Sequence, residues 1–244
     1  GCLIENIHES ILFKNSLKSG YNAGISKSKF CAFTTSNDIE SDLKSTGVKV
    51  IYLPEIKDVG KDLDYKIRRY FIQAWLAFSV ANSQNTYLWQ SPGTYWMDRP
   101  DNIISSLPIV EVLWSYKGRD DIRGAPFFVS FDFFIPAYAE RAIHLLHEIL
   151  LHFDLVLAWL SLDALAAYRL SENNSRYGTS THIIPPYTVL HTNLLKYDAI
   201  KIKEAIASKD HPMAIVIPIE GLAYDQMEKL LKDSGMWLLD SSNK

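Results

Sequence analysis

Cysteine is scarce in this sequence. Only Cys2 and Cys31 occur among its 244 residues. Two thiols can form one bridge at most, so they exclude a disulfide scaffold and a zinc site built from cysteine alone. We expect both to be free thiols near buried strands.

Long apolar runs are also missing. A helix that spans a bilayer needs about 20 apolar residues, and the longest candidates are interrupted by Asp132, by Glu140 and Arg141, or by His152 and Asp154. The first residues lack the charged and then apolar profile of a signal peptide. We therefore expect a soluble domain with no membrane contact in this segment, and the sequence indicates no compartment.

Neither sign of charge dominates the chain. Its 25 basic and 28 acidic residues give a net charge of −3 and are well mixed along the sequence. Such a chain has no general field that attracts polyanions, so nucleic acid is not an expected partner. A hydrophobic content of 48% is ample for a substantial core and excludes a disordered chain.

Three common motifs of nucleotide-binding and hydrolytic α/β enzymes are absent. The chain has no Gly-x-Gly-x-x-Gly, no phosphate-binding Gly-Lys-Ser/Thr loop and no Gly-x-Ser-x-Gly turn. This counts against a dinucleotide-binding enzyme, a P-loop nucleotidase and a serine hydrolase.

The first half of the chain alternates between strand-like and helix-like patterns. Short apolar runs favour strands, and apolar residues at helical spacing favour helices between them. The predicted strands lie at 1–4, 29–35, 48–53 and 86–89, and the predicted helices at 5–19, 39–46 and 64–82. We expect the first helix to end at Ser19 and Gly20, with the glycine as its left-handed cap. This alternation predicts a parallel sheet with helices on its faces, in which ligands gather at the carboxyl ends of strands.

The second half continues the α/β pattern. It predicts a strand at 126–135, helices at 137–152 and 155–170, an edge strand or ordered loop at 183–190, and helices on both sides of 214–217. No repeat and no long flexible linker divides the chain. We therefore expect one domain over residues 1–244, and its abrupt apolar start suggests a domain cut from a longer protein.

Three segments in fixed order carry a family resemblance. Trp96, Arg99 and Pro100 fit a Trp-Leu-Arg-Asp-Pro segment that follows a strand, with Asp98 and Arg99 in inverted order. The segment Ser130–Pro136 and the segment Ser161–Leu165 follow at matching positions. The chain thus resembles the nucleotide-diphospho-sugar transferases of the GT-A type. The resemblance implies a mostly parallel, Rossmann-like sheet flanked by helices in a single domain.

One departure from that family concerns its metal motif. Registering the sequence on Trp96 places Ser91, Pro92 and Gly93 where the family has Asp-x-Asp. Those carboxylates ordinarily hold a divalent cation, which neutralises the leaving diphosphate. A serine and a glycine cannot supply that charge, so we expect no metal and no other cofactor. Either the domain transfers a sugar without a metal, or it has lost catalysis and keeps only the fold.

The resemblance implies a donor-binding site that obtains its positive charge and hydrogen-bond donors elsewhere. Arginines near the motif could supply the charge, a Pro-Gly turn would let the backbone approach a phosphate, and a later histidine could return to the diphosphate. The candidate donor-binding residues are Arg68, Arg69, Ser91, Pro92, Gly93, Thr94, Arg99, His191 and Asn193. The alternatives are solvated arginines, an ordinary turn at a strand end and a loop histidine.

Two acidic residues are candidates for the catalytic base. Asp132 and Asp163 each stand within an apolar run, where an isolated carboxylate is costly to bury. A carboxylate in such a place can have a raised pKa and accept the proton of an acceptor hydroxyl. The alternative is an aspartate that caps or pairs with a neighbouring element.

The resemblance implies an enzyme, a hexosyl- or pentosyltransferase. It would transfer a sugar from a nucleotide-diphosphate sugar, a UDP-sugar by family likeness, to a hydroxyl of a glycan. The alternative from a different class is an inactive domain of the same fold that binds a glycan or a protein partner. The sequence identifies neither the sugar nor the acceptor, and fold alone does not fix the chemistry.

Overall fold

A computed structural model describes residues 1–58, 68–69, 72, 87–101, 112–120, 126–134, 181–184, 188–217 and 222–239. The chain divides into two compact units. The first unit comprises Gly1–Pro54, Gln90–Leu107 and Pro185–Lys244, and the second comprises Glu55–Trp89 and Pro108–Ile184. The assignment of residues 1–244 to one domain stays a prediction.

The first unit begins with a parallel sheet of three strands. These are β1 (Cys2–Leu3), β2 (Cys31–Thr34) and β3 (Lys49–Tyr52), in the order β1-β2-β3. Helix α1 (Ile7–Asn22) connects β1 to β2, and helix α2 (Asn37–Lys44) connects β2 to β3. The predicted alternation of strands and helices is confirmed here, and Cys2 and Cys31 are both free thiols.

Two predicted helix boundaries are wrong. Helix α1 continues past Gly20 to Asn22, and the left-handed glycine is Gly24, with φ of 83°. Gly20 is helical and lies against an aromatic ring, because a Cβ there would stand 2.5 Å from Phe30 Cζ. Helix α2 begins at Asn37, two residues before the predicted start.

A second sheet of three short strands belongs to the same unit. It consists of β5 (Thr94–Trp96), β9 (Val189–His191) and β10 (Ala214–Val216), with β10 in the centre. Strand β10 runs antiparallel to β5 and parallel to β9. Helices α3 (Ala199–Ala207) and α4 (Tyr224–Asp233) flank β10 in sequence, as predicted. Of the edge strand or ordered loop predicted at 183–190, residues 183–184 end strand β8 (Thr181–Ile184) and residues 189–190 begin β9.

The hydrophobic core of the first unit joins α1, α3, α4 and β10. Its members are buried aliphatic and methionine side chains that the helical and strand periods place on one face. They are Leu12, Ile202, Ile215, Ile217, Met227, Leu230, Leu231 and Met236.

The second unit contains a four-stranded sheet in the order β4-β7-β6-β8. Its other strands are β4 (Tyr87–Trp89), β6 (Val112–Asp120) and β7 (Pro126–Phe134). Strand β7 runs antiparallel to β4 and β6, while β6 and β8 are parallel. The predicted strands at 86–89 and 126–135 are confirmed to within one residue, whereas β6 was not predicted.

Three predicted helices fall largely or wholly outside the described residues. Those at 137–152 and 155–170 lie outside them entirely. Of the helix predicted at 64–82, Arg68, Arg69 and Ile72 are described, and all three are helical. Within the described part of the chain, no helix is long and apolar enough to cross a membrane.

Asn15 fastens the segment after α4 to α1. Its side-chain amide donates to the carbonyl of Met236 at 2.9 Å and accepts from the backbone N–H of Leu238 at 2.7 Å. Only 2% of Asn15 is exposed. The amide N–H and the amide oxygen each make a hydrogen bond out of contact with water. Loss of either hydrogen bond leaves a buried backbone group unsatisfied, which costs about 1–3 kcal/mol.

Asp42 links α1 to α2. Its carboxylate accepts hydrogen bonds from Ser10 Oγ at 2.7 Å and from the ammonium of Lys14. Partial burial opposes ionisation, yet the hydrogen bonds from Lys14 and Ser10 and the charge of Lys14 hold the pKa of Asp42 below its ordinary value.

Replacing Asn15 by Asp tests the two hydrogen bonds that its side-chain amide makes to Met236 and Leu238. We expect Asn15→Asp to lower the free energy of unfolding at pH 7 by about 2–3 kcal/mol, because a carboxylate cannot donate to Met236 and is poorly solvated there. The loss should shrink as the pH falls to 4, where a protonated carboxyl can donate again. Urea denaturation at both pH values measures this.

Asn22→Asp is the matched control for this experiment. Asn22 is exposed at the last residue of α1, so the same change should cost less than about 1 kcal/mol, chiefly from the helix dipole. Equal losses for the two variants would contradict the role given to Asn15.

Candidate functional site

Three strands bring distant parts of the sequence to one edge of the second sheet. Val216, the last residue of β10, pairs with Thr94 at the start of β5 and with His191 at the end of β9. The segments Ser91–Thr94 and His191–Asn193 therefore adjoin the carboxyl ends of β9 and β10. We call these two segments, which lie at the carboxyl end of the central strand β10, the β10 edge. Carboxyl ends of parallel strands are the usual place for ligands in α/β proteins.

The turn before β5 is closed by its own hydrogen bonds. The hydroxyl of Thr94 donates to the carbonyl of Ser91 at 2.8 Å, and the backbone N–H of Thr94 donates to the same oxygen at 3.1 Å. All four residues from Ser91 to Thr94 are buried. The turn is thus a built part of the interior and not a loose surface loop.

The turn leaves no room for a side chain at Gly93, because the backbone of Ile217 occupies that space. A Cβ on Gly93 would lie 2.7 Å from the carbonyl oxygen of Ile217, closer than real Cβ atoms come to other atoms. The carbonyl of Gly93 accepts the N–H of Ile217 at 3.1 Å, which continues the pairing of β5 with β10. The close backbone approach expected at this glycine is therefore made to Ile217.

A buried polar network fixes the turn to α1. The indole N–H of Trp96 donates to the side-chain carbonyl of Gln90 at 3.0 Å, and the amide of Gln90 donates to Ser16 Oγ at 3.2 Å. The backbone N–H of Trp96 donates to Ser19 Oγ at 3.0 Å. Gln90 and Trp96 enclose the turn on both sides, so this network sets its position. Gln90 was not predicted as part of the site, because its contact with Ser16 forms only when the chain folds.

The other half of the β10 edge is also polar and buried. His191 and Thr192 are both 0% exposed. The hydroxyl of Thr192 has no hydrogen-bond partner in the described part of the chain. A buried polar group of this kind is uncommon in a native interior and is often explained by a ligand or water.

Two consecutive residues after this segment have left-handed backbone. Lys196 has φ of 53° and Tyr197 has φ of 56°. Such a conformation costs a residue other than glycine about 1–3 kcal/mol. Hydrogen bonds from Lys196 N–H to Asn193 and from Tyr197 N–H to Thr192 hold it in place. The path from β9 into α3 is thereby fixed, and the sequence carries no signal for it.

Arg99 lies at the other end of the same sheet. Strand β5 runs antiparallel to β10, so Thr94 is at the β10 edge and the residues after Trp96 leave at the opposite end. The side chain of Arg99 passes 3.6 Å from the Cβ position of Gly24 and pairs with Asp101 at 2.8 Å. The structure therefore does not bring Arg99 to Thr94 or His191.

Arg68 and Arg69 belong to the second unit. Arg68 is partly exposed and donates to the carbonyl of Lys57 at 2.8 Å. Arg69 is only 4% exposed, so the alternative of an ordinary solvated arginine does not hold for it. Their part in donor binding stays a prediction.

Asp132 occupies the middle of the four-stranded sheet. It lies in β7 and pairs with Trp89 of β4 on one side and Trp114 of β6 on the other. The aspartate therefore stands in a row of the sheet between two tryptophan positions. Asp163, the second candidate base, lies outside the described residues.

Ser91 and Gly93, which the sequence resemblance registers on the Asp-x-Asp motif, do not fit a divalent cation. Hard cations need carboxylate or carbonyl oxygens as ligands. Gly93 offers no side chain and faces the carbonyl of Ile217. The hydroxyl of Ser91 accepts from the N–H of Gly93 and donates to the carbonyl of Ile217, both at 3.4 Å.

Replacing Gly93 by Ala tests the packing of the turn. We expect Gly93→Ala to lower the free energy of unfolding by at least about 2 kcal/mol, because the new methyl group meets backbone that cannot move aside cheaply. Chemical denaturation measures this. Gly235→Ala is the comparison, since Gly235 has open space around it but φ of 78°, which costs about 1–2 kcal/mol. A smaller loss at Gly93 than at Gly235 would contradict the close contact.

Comparison with known sequences yields no relative. No protein-family model matches the chain, and no curated protein matches it.

Comparison with solved structures places the fold. The galactosyltransferase LgtC, solved with donor and acceptor sugar analogs, matches 99% of this chain and 97% of its own at a TM-score of 0.57 and 10% identity. A glycosyltransferase involved in glycosylation of the major capsid of PBCV-1 matches 94% of this chain and 97% of its own, at 0.53 and 12%. Mouse xyloside xylosyltransferase 1 matches 91% and 98%, at 0.56 and 10%. The chain therefore has the α/β fold of GT-A-type glycosyltransferases, as the sequence predicted.

Proposed function

We propose that this protein is a glycosyltransferase that moves a sugar from a nucleotide-diphosphate sugar to a hydroxyl of a glycan, without a metal. The donor is a UDP-sugar by the resemblance of its sequence motifs. The observation that carries the proposal is the β10 edge. Two segments predicted to bind the donor, Ser91–Thr94 and His191–Asn193, adjoin one strand end in a chain with the GT-A fold.

The reaction needs one proton acceptor and one stabilised leaving group. Asp132 or Asp163 takes the proton of the acceptor hydroxyl, whose oxygen then forms a bond to the anomeric carbon of the donor. The bond from that carbon to the diphosphate breaks, and the nucleoside diphosphate leaves with the electron pair. A direct in-line attack of this kind inverts the configuration at the anomeric carbon, whereas a retaining transfer would proceed without a protein base.

The leaving diphosphate needs hydrogen-bond donors and positive charge. At the β10 edge we assign this role to His191 and to the buried hydroxyl of Thr192, with Lys196, three residues after Asn193 in sequence, as an exposed cation. The role of Arg68 and Arg69 in donor binding rests on the sequence resemblance alone. Asn193 completes the donor-binding residues of this segment.

A non-catalytic binding domain is the second candidate function. It is favoured by the lack of carboxylates at the Asp-x-Asp position, where Ser91 and Gly93 stand. A domain of this kind would bind a glycan or a protein and would release no nucleoside diphosphate.

Thermal stability with ligands separates the two functions. We expect a UDP-sugar to raise the melting temperature, because a ligand that binds only the folded state stabilises it by mass action. The shift should be the same with excess chelator as with manganese. Scanning a set of nucleotide sugars and free glycans by fluorimetry measures it. A shift with glycans alone supports the binding domain, and a shift or product formation that needs manganese contradicts metal independence.

Variants of the two aspartates test the base. We expect Asn at the true base to lower turnover by roughly 100-fold or more while donor affinity and melting temperature stay unchanged, because the amide keeps the shape and cannot accept the proton. Asp132→Asn and Asp163→Asn are compared with Asp101→Asn, which changes an exposed aspartate paired with Arg99. Wild-type turnover in both test variants would refute a carboxylate base, and a loss of stability with normal turnover would mark a structural aspartate.

A further inference from the structure

The first sheet separates charge between its two ends. Residues 4–9 and 35–40, at the carboxyl ends of β1 and β2, contain four acidic residues and no lysine or arginine. Residues 22–30 and 44–49, at the amino ends of β2 and β3, contain four lysines and no acidic residue. One residue of each group contacts the other group, since Glu40 pairs with Lys44 at 2.8 Å, so the separation rests on the remaining three residues at each end.

The four lysines belong to one surface. Strands β2 and β3 are neighbours, with Cys31 opposite Lys49, so the segments that lead into them lie side by side. The segments also touch, since the ammonium of Lys27 lies 3.7 Å from the Cβ position of Gly47. We call the surface formed by Lys27, Lys29, Lys44 and Lys49 the lysine face.

Three of these charges are available to a partner. Lys27, Lys29 and Lys49 are exposed, and none of them forms an ion pair with another of the described residues. The ammonium of Lys27 lies over the ring of Tyr21, 5.5 Å from its centroid, in a cation–π contact. Lys44 is 62% exposed but pairs with Glu40 at 2.8 Å. The lysine face therefore carries at least three uncompensated positive charges.

We propose that the lysine face docks this protein on an anionic lipid bilayer. Lysine ammonium groups are compact point charges without the planar fork of arginine, so they suit a diffuse charged surface better than a shaped anion. Lysines near an anionic bilayer each add to the attraction. A single-stranded nucleic acid would call for free aromatic rings on which bases stack, whereas Phe30 is buried and the partly buried ring of Tyr21 already lies under Lys27.

Docking in this way orients the protein. The lysine face meets the bilayer at the amino ends of β2 and β3, so the carboxyl ends of the same strands point away from the lipid. The contact is peripheral and electrostatic, and it needs no spanning helix. It goes beyond the expectation of no membrane contact, which rested on the lack of long apolar runs and does not address a charged surface.

Vesicle flotation tests the proposal. Vesicles of phosphatidylcholine, with or without about 30% phosphatidylglycerol, are mixed with the whole chain at low salt. We expect binding to the anionic vesicles only, and its loss in about 0.5 M salt, where charges are screened within a few ångströms. The variant Lys27→Glu/Lys29→Glu/Lys49→Glu should bind at least about tenfold more weakly with an unchanged melting temperature.

A matched variant separates the lysine face from total charge. Lys201→Glu/Lys203→Glu/Lys229→Glu changes the net charge by the same amount at exposed positions on α3 and α4, and it should bind within about threefold of wild type. Equal losses in the two variants, equal binding to neutral vesicles, or no binding to either vesicle would overturn the proposal. Binding of an RNA oligonucleotide without vesicle binding would assign the surface to nucleic acid and also overturn it. None of these outcomes depends on the proposed sugar transfer.

Discussion

Strand β10 is the element on which the candidate site depends, because it pairs with β5 on one side and β9 on the other. Its three residues join segments that lie more than 90 residues apart in sequence. Beyond the strand, Ile217 continues the pairing with Gly93 and leaves no room for a side chain there. The geometry of the turn is therefore fixed by backbone hydrogen bonds, which do not depend on which ligand the site takes. The buried amide of Gln90 reinforces it from the α1 side.

The elements that could be predicted are those whose signal is local. Strands β1 to β3 and helices α1 and α2 follow from apolar spacing, and they appear where the sequence places them, apart from boundaries such as the one at Gly20. That boundary was wrong because the glycine is needed for packing against Phe30, a tertiary contact with no local signature. Strand β6 mixes apolar and charged residues, and its pairing partners β7 and β8 decide its conformation.

The candidate site was predictable in part. Registration on Trp96 drew attention to Ser91 and Gly93, and chain order drew attention to His191. Their common place at one sheet edge follows from strand pairing, which a single sequence does not reveal. Arg99 is a residue for which the missing information on strand pairing led to a wrong expectation of proximity. It is near Thr94 in sequence, yet β5 runs antiparallel to β10 and carries it to the opposite end of the sheet.

The central claim is that the β10 edge binds the diphosphate of the donor. A crystal structure of the protein soaked with UDP in the presence of chelator tests this most directly. We expect diphosphate oxygens within hydrogen-bond distance, about 3.5 Å or less, of groups in Ser91–Thr94 or His191–Asn193, with no cation beside Ser91. A diphosphate bound away from both segments, or one held through a cation at the Asp-x-Asp position, would contradict it.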